Sequence, residues 1–156
     1  MQETLRRMRE QRATGDRGFT LIELLVVVVI IGVLVGIAVP VYMNYSKGAA
    51  NKSAQSDVRT AITAVEQYYS ENGNVYPADA NGTGANITLP AQTNGSAQTI
   101  TLSSGNTLKL KNNTTSYVIC AQNASGKKIY VFNSANGGSV KESAKSDIDT
   151  CLSSGS

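Results

Sequence analysis

The chain has no histidine and no tryptophan, and only two cysteines and three prolines among its 156 residues. Without histidine it lacks the commonest general base and the commonest metal ligand. Two cysteines cannot build a metal-spaced thiolate cluster, and the sequence has no glycine-rich phosphate loop. Asp147-x-Asp149 comes nearest to a calcium site, but two close carboxylates on a polar segment read more simply as a solvated pair. No catalytic constellation is left. The expectation is a protein that is not an enzyme and needs neither cofactor nor metal.

Clustered positive charge is also scarce. The first eighteen residues carry Arg6, Arg7, Arg9, Arg12 and Arg17 against Glu3, Glu10 and Asp16. The formal net charge of +3 therefore rests mostly on this segment, and the rest of the chain is close to neutral. Phosphate binding needs gathered Lys and Arg, so no specific nucleic acid is expected as a partner. Lys127-Lys128, the single adjacent basic pair after residue 18, reads as a solvated turn.

Large hydrophobes are sparse too, except in one block. Residues 19–41 hold nearly all the strong apolar density, and from Leu24 to Val39 there is no charge. Beyond it the chain is rich in Ser, Thr, Asn, Gly and Ala, so a head built from residue 72 onward has a thin core that needs a staple or a packed helix. As a helix, the block is long enough to cross a hydrocarbon layer, which takes about 20 apolar residues. The arginines before it keep that end cytoplasmic and send the remainder across.

Three readings fit this block. It is a plain signal anchor; or a signal peptide cut after the apolar run, with Gly36-Ile37-Ala38 as a small-residue site; or a helix whose polar leader is removed at Gly18. The run exceeds the usual signal-peptide core. Glu23 separates the other two. A carboxylate at the entrance to a membrane helix is unfavourable and needs a partner, and a plain anchor supplies none. Cleavage before Phe19 creates an amine four residues away, so neighbouring chains can pair amine with carboxylate where an unpaired charge is heavily penalised.

Arg17-Gly18-Phe19-Thr20-Leu21-Ile22-Glu23 followed by an apolar stretch resembles the class III leader of type IV prepilins and pseudopilins. The pattern joins a small residue before the cut, an aromatic after it, and an acid at the fifth position of the product. The resemblance implies that a prepilin peptidase cuts between Gly18 and Phe19 and N-methylates Phe19. It also implies that Glu23 pairs with the N-terminus of an adjacent subunit. Gly32 and Pro40 fall where such pilins carry helix-weakening residues, and the segment between them is often unwound in assembled filaments. Gly costs about 1 kcal/mol and Pro about 3 kcal/mol inside a helix. Gly32 and Gly36 together form a Gly-x-x-x-Gly pattern that permits close helix approach.

After Pro40 the pattern turns amphipathic. Val58, Ile62, Val65 and Tyr69 recur at helical spacing, Ala54 and Ala61 fill in, and Asp57, Arg59, Glu66 and Glu71 lie mostly off the stripe. Asn72-Gly73 ends the pattern as a left-handed cap would. One long helix over about 19–72 follows, with Tyr42, Tyr45, Tyr68 and Tyr69 as surface packing residues. Residues 73–98 read as a loop with a short strand near Ile87-Leu89. Four strand-like runs come next: 99–102, 107–111 with Leu108 and Leu110 inward and Lys109 and Lys111 in solvent, 117–121 and 128–132. The predicted fold class is α+β, type IV pilin-like: a long N-terminal helix laid across a four-stranded antiparallel sheet.

The domain plan is thus a leader over 1–18, an apolar membrane or filament-core helix over 19–41 and an amphipathic half over 42–72. The head over 73–156 has its loop at 73–98, its sheet at 99–133 and a loose tail at 134–156. Two cysteines in an exported chain most often pair, whereas free buried thiols suit a cytosolic protein, which the N-terminal block argues against. A Cys120–Cys151 bridge ties the tail to the sheet, like the disulfide-bounded C-terminal region of many pilins. Asn86-Ile87-Thr88 and Asn112-Asn113-Thr114 match a glycosylation pattern that is frequent by chance.

The function expected from the resemblance is the structural subunit of a type IV pilus, a homo-oligomeric helical filament serving adhesion, motility or DNA uptake. Its expected partners are the prepilin peptidase, the assembly platform and ATPase, and the inner membrane before assembly; the filament itself is extracellular. The alternative is a pseudopilin of a type II secretion or competence system, which Tyr76-Pro77 after the long helix also resembles. A monomeric membrane-anchored binding module is a third class, and it leaves Glu23 unexplained.

Overall fold

A computed structural model describes residues 18–156. The Arg-rich segment expected to be removed therefore lies, apart from Gly18, outside the described residues. The first element is α1, Leu21–Glu71. Its start is two residues inside the expected one because Thr20 takes the capping position. Its end is set by Gly73 at φ +69°, with Asn74 N–H donating to the Tyr69 carbonyl at 3.0 Å. That bond is the long-range closure of a Schellman cap, which a glycine adopts without a Cβ penalty. Pro40 stands inside the helix. Lacking an N–H, it leaves the Gly36 carbonyl without its helical donor.

The chain divides into two compact units, one ending at Tyr42 and one spanning Met43–Ser156. In the second, α1 buries Ala54, Val58, Ala61, Ala64, Val65 and Tyr68. The alternating steps of four and three residues from Ala54 to Tyr68 keep one face turned to the sheet. Ile62 and Tyr69, expected at the centre of the stripe, are half-buried flanks, and Tyr68 takes the central place.

Seven strands follow: β1 (Ala80–Thr83), β2 (Ile87–Leu89), β3 (Gln98–Ile100), β4 (Asn106–Asn112), β5 (Tyr117–Asn123), β6 (Ile129–Asn133) and β7 (Lys141–Glu142). A short helix, α2 (Ile148–Ser154), closes the chain. The main sheet is antiparallel with five strands in the order β1-β4-β5-β6-β7. Pairing Leu108 with Ala121 and Leu110 with Ile119, then Ile119 with Phe132 and Ala121 with Tyr130, lines these side chains on the α1 face. The opposite face carries Val118, Cys120, Ile129 and Val131, which α2 covers with Ile148, Cys151 and Leu152. Covered on both sides, β5 is buried at six of its seven positions.

The helix-on-sheet arrangement is the one expected, but the strand assignment needs correcting. The run 99–102 was expected to open the meander. Instead β3 pairs with β2 as a separate two-stranded sheet, and the place beside β4 goes to β1, from the expected loop. The sequence Ala-Asn-Gly-Thr has little strand propensity. Its pairing with β4 and the missing Cβ at Gly82 hold it, since a Cβ there would sit 2.6 Å from Ile87 Cγ1. The tail, expected to be loose, forms β7 and α2. Asp147 caps α2 by accepting from Asp149 N–H and Thr150 N–H at 2.9 and 3.0 Å, and Gly155 ends it at φ +66°. Lys109, expected in solvent, is ion-paired with Asp149.

Candidate assembly site on the N-terminal helix

Gly18, Phe19 and Thr20 are exposed and precede the first turn of α1. Thr20 and Glu23 form a reciprocal capping box. The Glu23 backbone N–H donates to Thr20 Oγ1 at 3.3 Å, while Glu23 Oε2 accepts from the Thr20 N–H at 2.9 Å and its hydroxyl at 2.7 Å. Two N–H groups that a helix start leaves unpaired are thereby satisfied. The carboxylate sits at the positive end of the helix dipole, where a negative charge is favoured. Phe19, Ile22, Val26 and Val27 line a depression around it. Thr-x-x-Glu before an apolar run is legible in the sequence as a cap, and Thr20 is a site residue that the leader pattern alone does not single out.

Every large apolar side chain from Phe19 to Val41 is at least 46 % exposed. Among the described residues α1 is the one helix long and apolar enough to span a membrane. An uncovered apolar surface of this length calls for a partner outside the subunit. Gly32 and Gly36 lie one helical turn apart in open surroundings, with nothing beyond the helix's own adjoining backbone within 4 Å of where a Cβ would stand. A second helix can approach closely there.

In the head, Cys120 on β5 and Cys151 on α2 form a disulfide with Cα atoms 6.4 Å apart. Asp147 and Asp149, weighed as a cation pair, are used as a helix cap and as the partner of Lys109. The Thr150 backbone N–H, foremost among its donors, holds the Asp147 carboxyl below its ordinary range. Of the two glycosylation-pattern asparagines, Asn86 accepts from Leu102 N–H at 3.3 Å, and Asn112 donates to the Tyr76 and Pro77 carbonyls at 3.1 and 2.9 Å. Tyr76 stacks on Tyr69 and meets Tyr117 at a tilt, with ring centres 4.5 and 5.0 Å away. The Tyr117 hydroxyl donates to Glu66 at 2.6 Å, and burial, reinforced by that carboxylate, pushes the phenol up.

Polar residues on the buried face of α1 also escaped the sequence reading. Asp57, read as lying off the stripe, is buried. It accepts from Ser103 N–H and Oγ–H, each at 2.8 Å, and from Asn106 Nδ2 at 2.6 Å. Asn106 Oδ1 in turn accepts from Asn123 at 2.6 Å. Toward one end the same face carries Asn51, which accepts from Lys128 N–H, and just past the other end of α1 Asn72 accepts from Gln92 N–H and donates to the Ser96 carbonyl. Three loops are thus gripped by side chains of the helix and of the residue that follows it.

The family model described as the prokaryotic N-terminal methylation motif matches residues 14–39. Fimbrial protein EcpC of Eikenella corrodens is 33 % identical over 135 residues, covering 86 % of this chain and 85 % of that protein. The chain belongs to the type IV pilin and pseudopilin family. It is a structural subunit of a pilus or pseudopilus. Type II secretion system core protein G of Pectobacterium carotovorum subsp. carotovorum is 40 % identical over 80 residues, 51 % of each chain. Type IV major pilin protein PilE of Neisseria gonorrhoeae is 37 % identical over 71 residues, 46 % of this chain and 42 % of that one. With these last two the pilin-like chain shares about half their length. No solved structure matches it.

Proposed function

We propose that the chain is the subunit of a type IV pilus, cleaved between Gly18 and Phe19, N-methylated on Phe19, held in the cytoplasmic membrane by residues 19–41 and then polymerised. The observation that carries the pilus over the pseudopilus is that the likeness to one fimbrial protein extends through the head. Similarity to the fimbrial protein runs over 85 % of that protein, head included, whereas similarity to core protein G covers 51 % of it. The head is what a filament shows to its surroundings.

Glu23 is the assembly residue in this reading. Within the subunit its carboxylate is satisfied by Thr20. Cleavage sets a cation at Phe19 of each copy, and in the low dielectric of a helix bundle the amine of one subunit pairs with Glu23 of the next. Gly32 and Gly36 bring the helices close, and the unpaired Gly36 carbonyl opposite Pro40 makes the region between Gly32 and Pro40 the easiest to unwind. The partners are further copies of this chain, the prepilin peptidase, and the platform and ATPase that drive assembly. No catalytic role is assigned to the chain itself.

Intact mass of surface material sheared from the native host tests this reading. The expected mass is that of Phe19–Ser156 less two hydrogens for the disulfide and plus one CH2 for the methyl group that replaces an amine hydrogen. A chain starting at Val39 overturns it in favour of a signal peptide. The Phe19 form found in the membrane with no sheared filament moves the assignment to the pseudopilus.

A further inference from the structure

Two tyrosines stand where the apolar run ends, and the interior of the head uses neither. Tyr42 is 70 % and Tyr45 78 % exposed. Neither ring joins the Tyr69–Tyr76–Tyr117–Phe132 stack, and neither hydroxyl makes a hydrogen bond among the described residues. Three residues apart on a helix, they share a face. Exposed Lys47 follows within a turn.

Helix rise gives these positions a meaning. Nineteen residues separate Glu23 from Tyr42, about 28 Å at 1.5 Å per residue, against a hydrocarbon layer about 30 Å thick. When Glu23 lies at one boundary of that layer, Tyr42 lies at the other. Tyr42 to Lys47 rises a further ~7 Å, which matches the headgroup zone of one leaflet, about 5–7 Å deep. Tyrosine suits this zone because its ring is apolar and its hydroxyl is not. A lysine there sets its ammonium among the lipid phosphates while its stem lies along the headgroup zone.

We infer that Tyr42, Tyr45 and Lys47 form a collar that binds the headgroup layer of the outer leaflet and sets the depth of the subunit in the membrane before assembly. The inference rests on membrane residence of residues 19–41 and specifies it. The collar holds Glu23 at the opposite boundary, in the layer where a neighbour's amine is presented, instead of letting it sink into hydrocarbon. Joining a filament then requires the tyrosines to exchange lipid contacts for contacts with other subunits.

The chain has no tryptophan, so single reporters are free of background. Full-length chains carrying Tyr45→Trp, Tyr42→Trp or Leu34→Trp are placed in phosphatidylethanolamine–phosphatidylglycerol vesicles with quenchers at the headgroup or deep in the acyl chains. The expected result is quenching from the headgroup probe at 42 and 45 and from the deep probe at 34. Adding Tyr42→Ala and Tyr45→Ala to the Leu34→Trp chain is expected to broaden its depth profile. A reporter at 45 that no lipid probe reaches, with 34 still quenched deep, puts the tyrosines in water or against a second copy; it overturns the collar and leaves membrane residence standing. An unchanged profile in the double-alanine chain overturns the depth-setting role. Quenching absent at 34 as well removes the membrane reading and the collar with it.

Discussion

The first part of α1, up to Tyr42, and the unit from Met43 onward solve opposite problems with the same secondary structure. In the first part the apolar residues run round the whole helix, every large one is exposed, and among the described residues the side-chain hydrogen bonds are those of the Thr20–Glu23 box. In the second, α1 narrows to one buried stripe, and Asn51 and Asp57 on that face, with Asn72 just past its end, fasten three loops. A stripe is covered by a single sheet, whereas a helix apolar all round needs apolar surroundings on every side. One region is built to be completed by lipid or by other subunits, and the other completes itself.

The sharpest way to break that contrast is at Glu23. Glu23→Ala is expected to leave cleavage and head stability unchanged and to abolish sheared filaments. Normal filaments from this variant would sink the pairing mechanism. Loss of the disulfide should do the reverse. Cys120→Ser with Cys151→Ser is expected to destabilise the head by about 3–4 kcal/mol in the chain-entropy view, given a sequence separation of 31. Thermal melting reads this directly, and membrane association should be unaffected.

Asp57→Ala tests whether the head is clamped as well as packed. It strands the Ser103 N–H and one of the two Asn106 amide hydrogens, the other still donating to Ser53, and a loss of about 2–3 kcal/mol is expected. Stability within 0.5 kcal/mol of the parent would show that water replaces the clamp. Tyr117→Phe is the mildest change, about 1.5 kcal/mol for one hydrogen bond to a carboxylate. Its signature lies in pH. Because burial raises the Tyr117 phenol above its ordinary value, its share of the stability is present below that ordinary value and is lost as pH climbs above it. The parent should therefore lose stability on the alkaline side more steeply than Tyr117→Phe, and parallel alkaline profiles would contradict this.

Much of this arrangement could be read from residue order. Gly73 stops α1 because only a residue at ease with positive φ closes a Schellman cap. Leu108 and Leu110 face inward because strand alternation leaves Lys109 and Lys111 for the other side. The failures share a cause. Ala80–Thr83 has no strand signature of its own and pairs because β4 offers an edge. Thr99–Leu102 alternates well, yet its Ile100 finds Ile87 and not the main sheet. Asp57 looked like a surface acid because nothing in its neighbourhood announces Ser103, 46 residues away.

By itself the sequence determined the long helix, its all-round apolar beginning, the capping box around Glu23 and the cysteines available to pair. The helix features are local patterns, settled by periodicity or by residues within a turn of one another, and the cysteines are a matter of count. Only the tertiary structure decided which strand lies beside β4, that the tail becomes a helix over the second face of the sheet, and that buried polar groups on α1 hold the loops. Those outcomes depend on donors and apolar faces that meet only after the chain has closed on itself, and short segments compete for the same partners until packing selects among them.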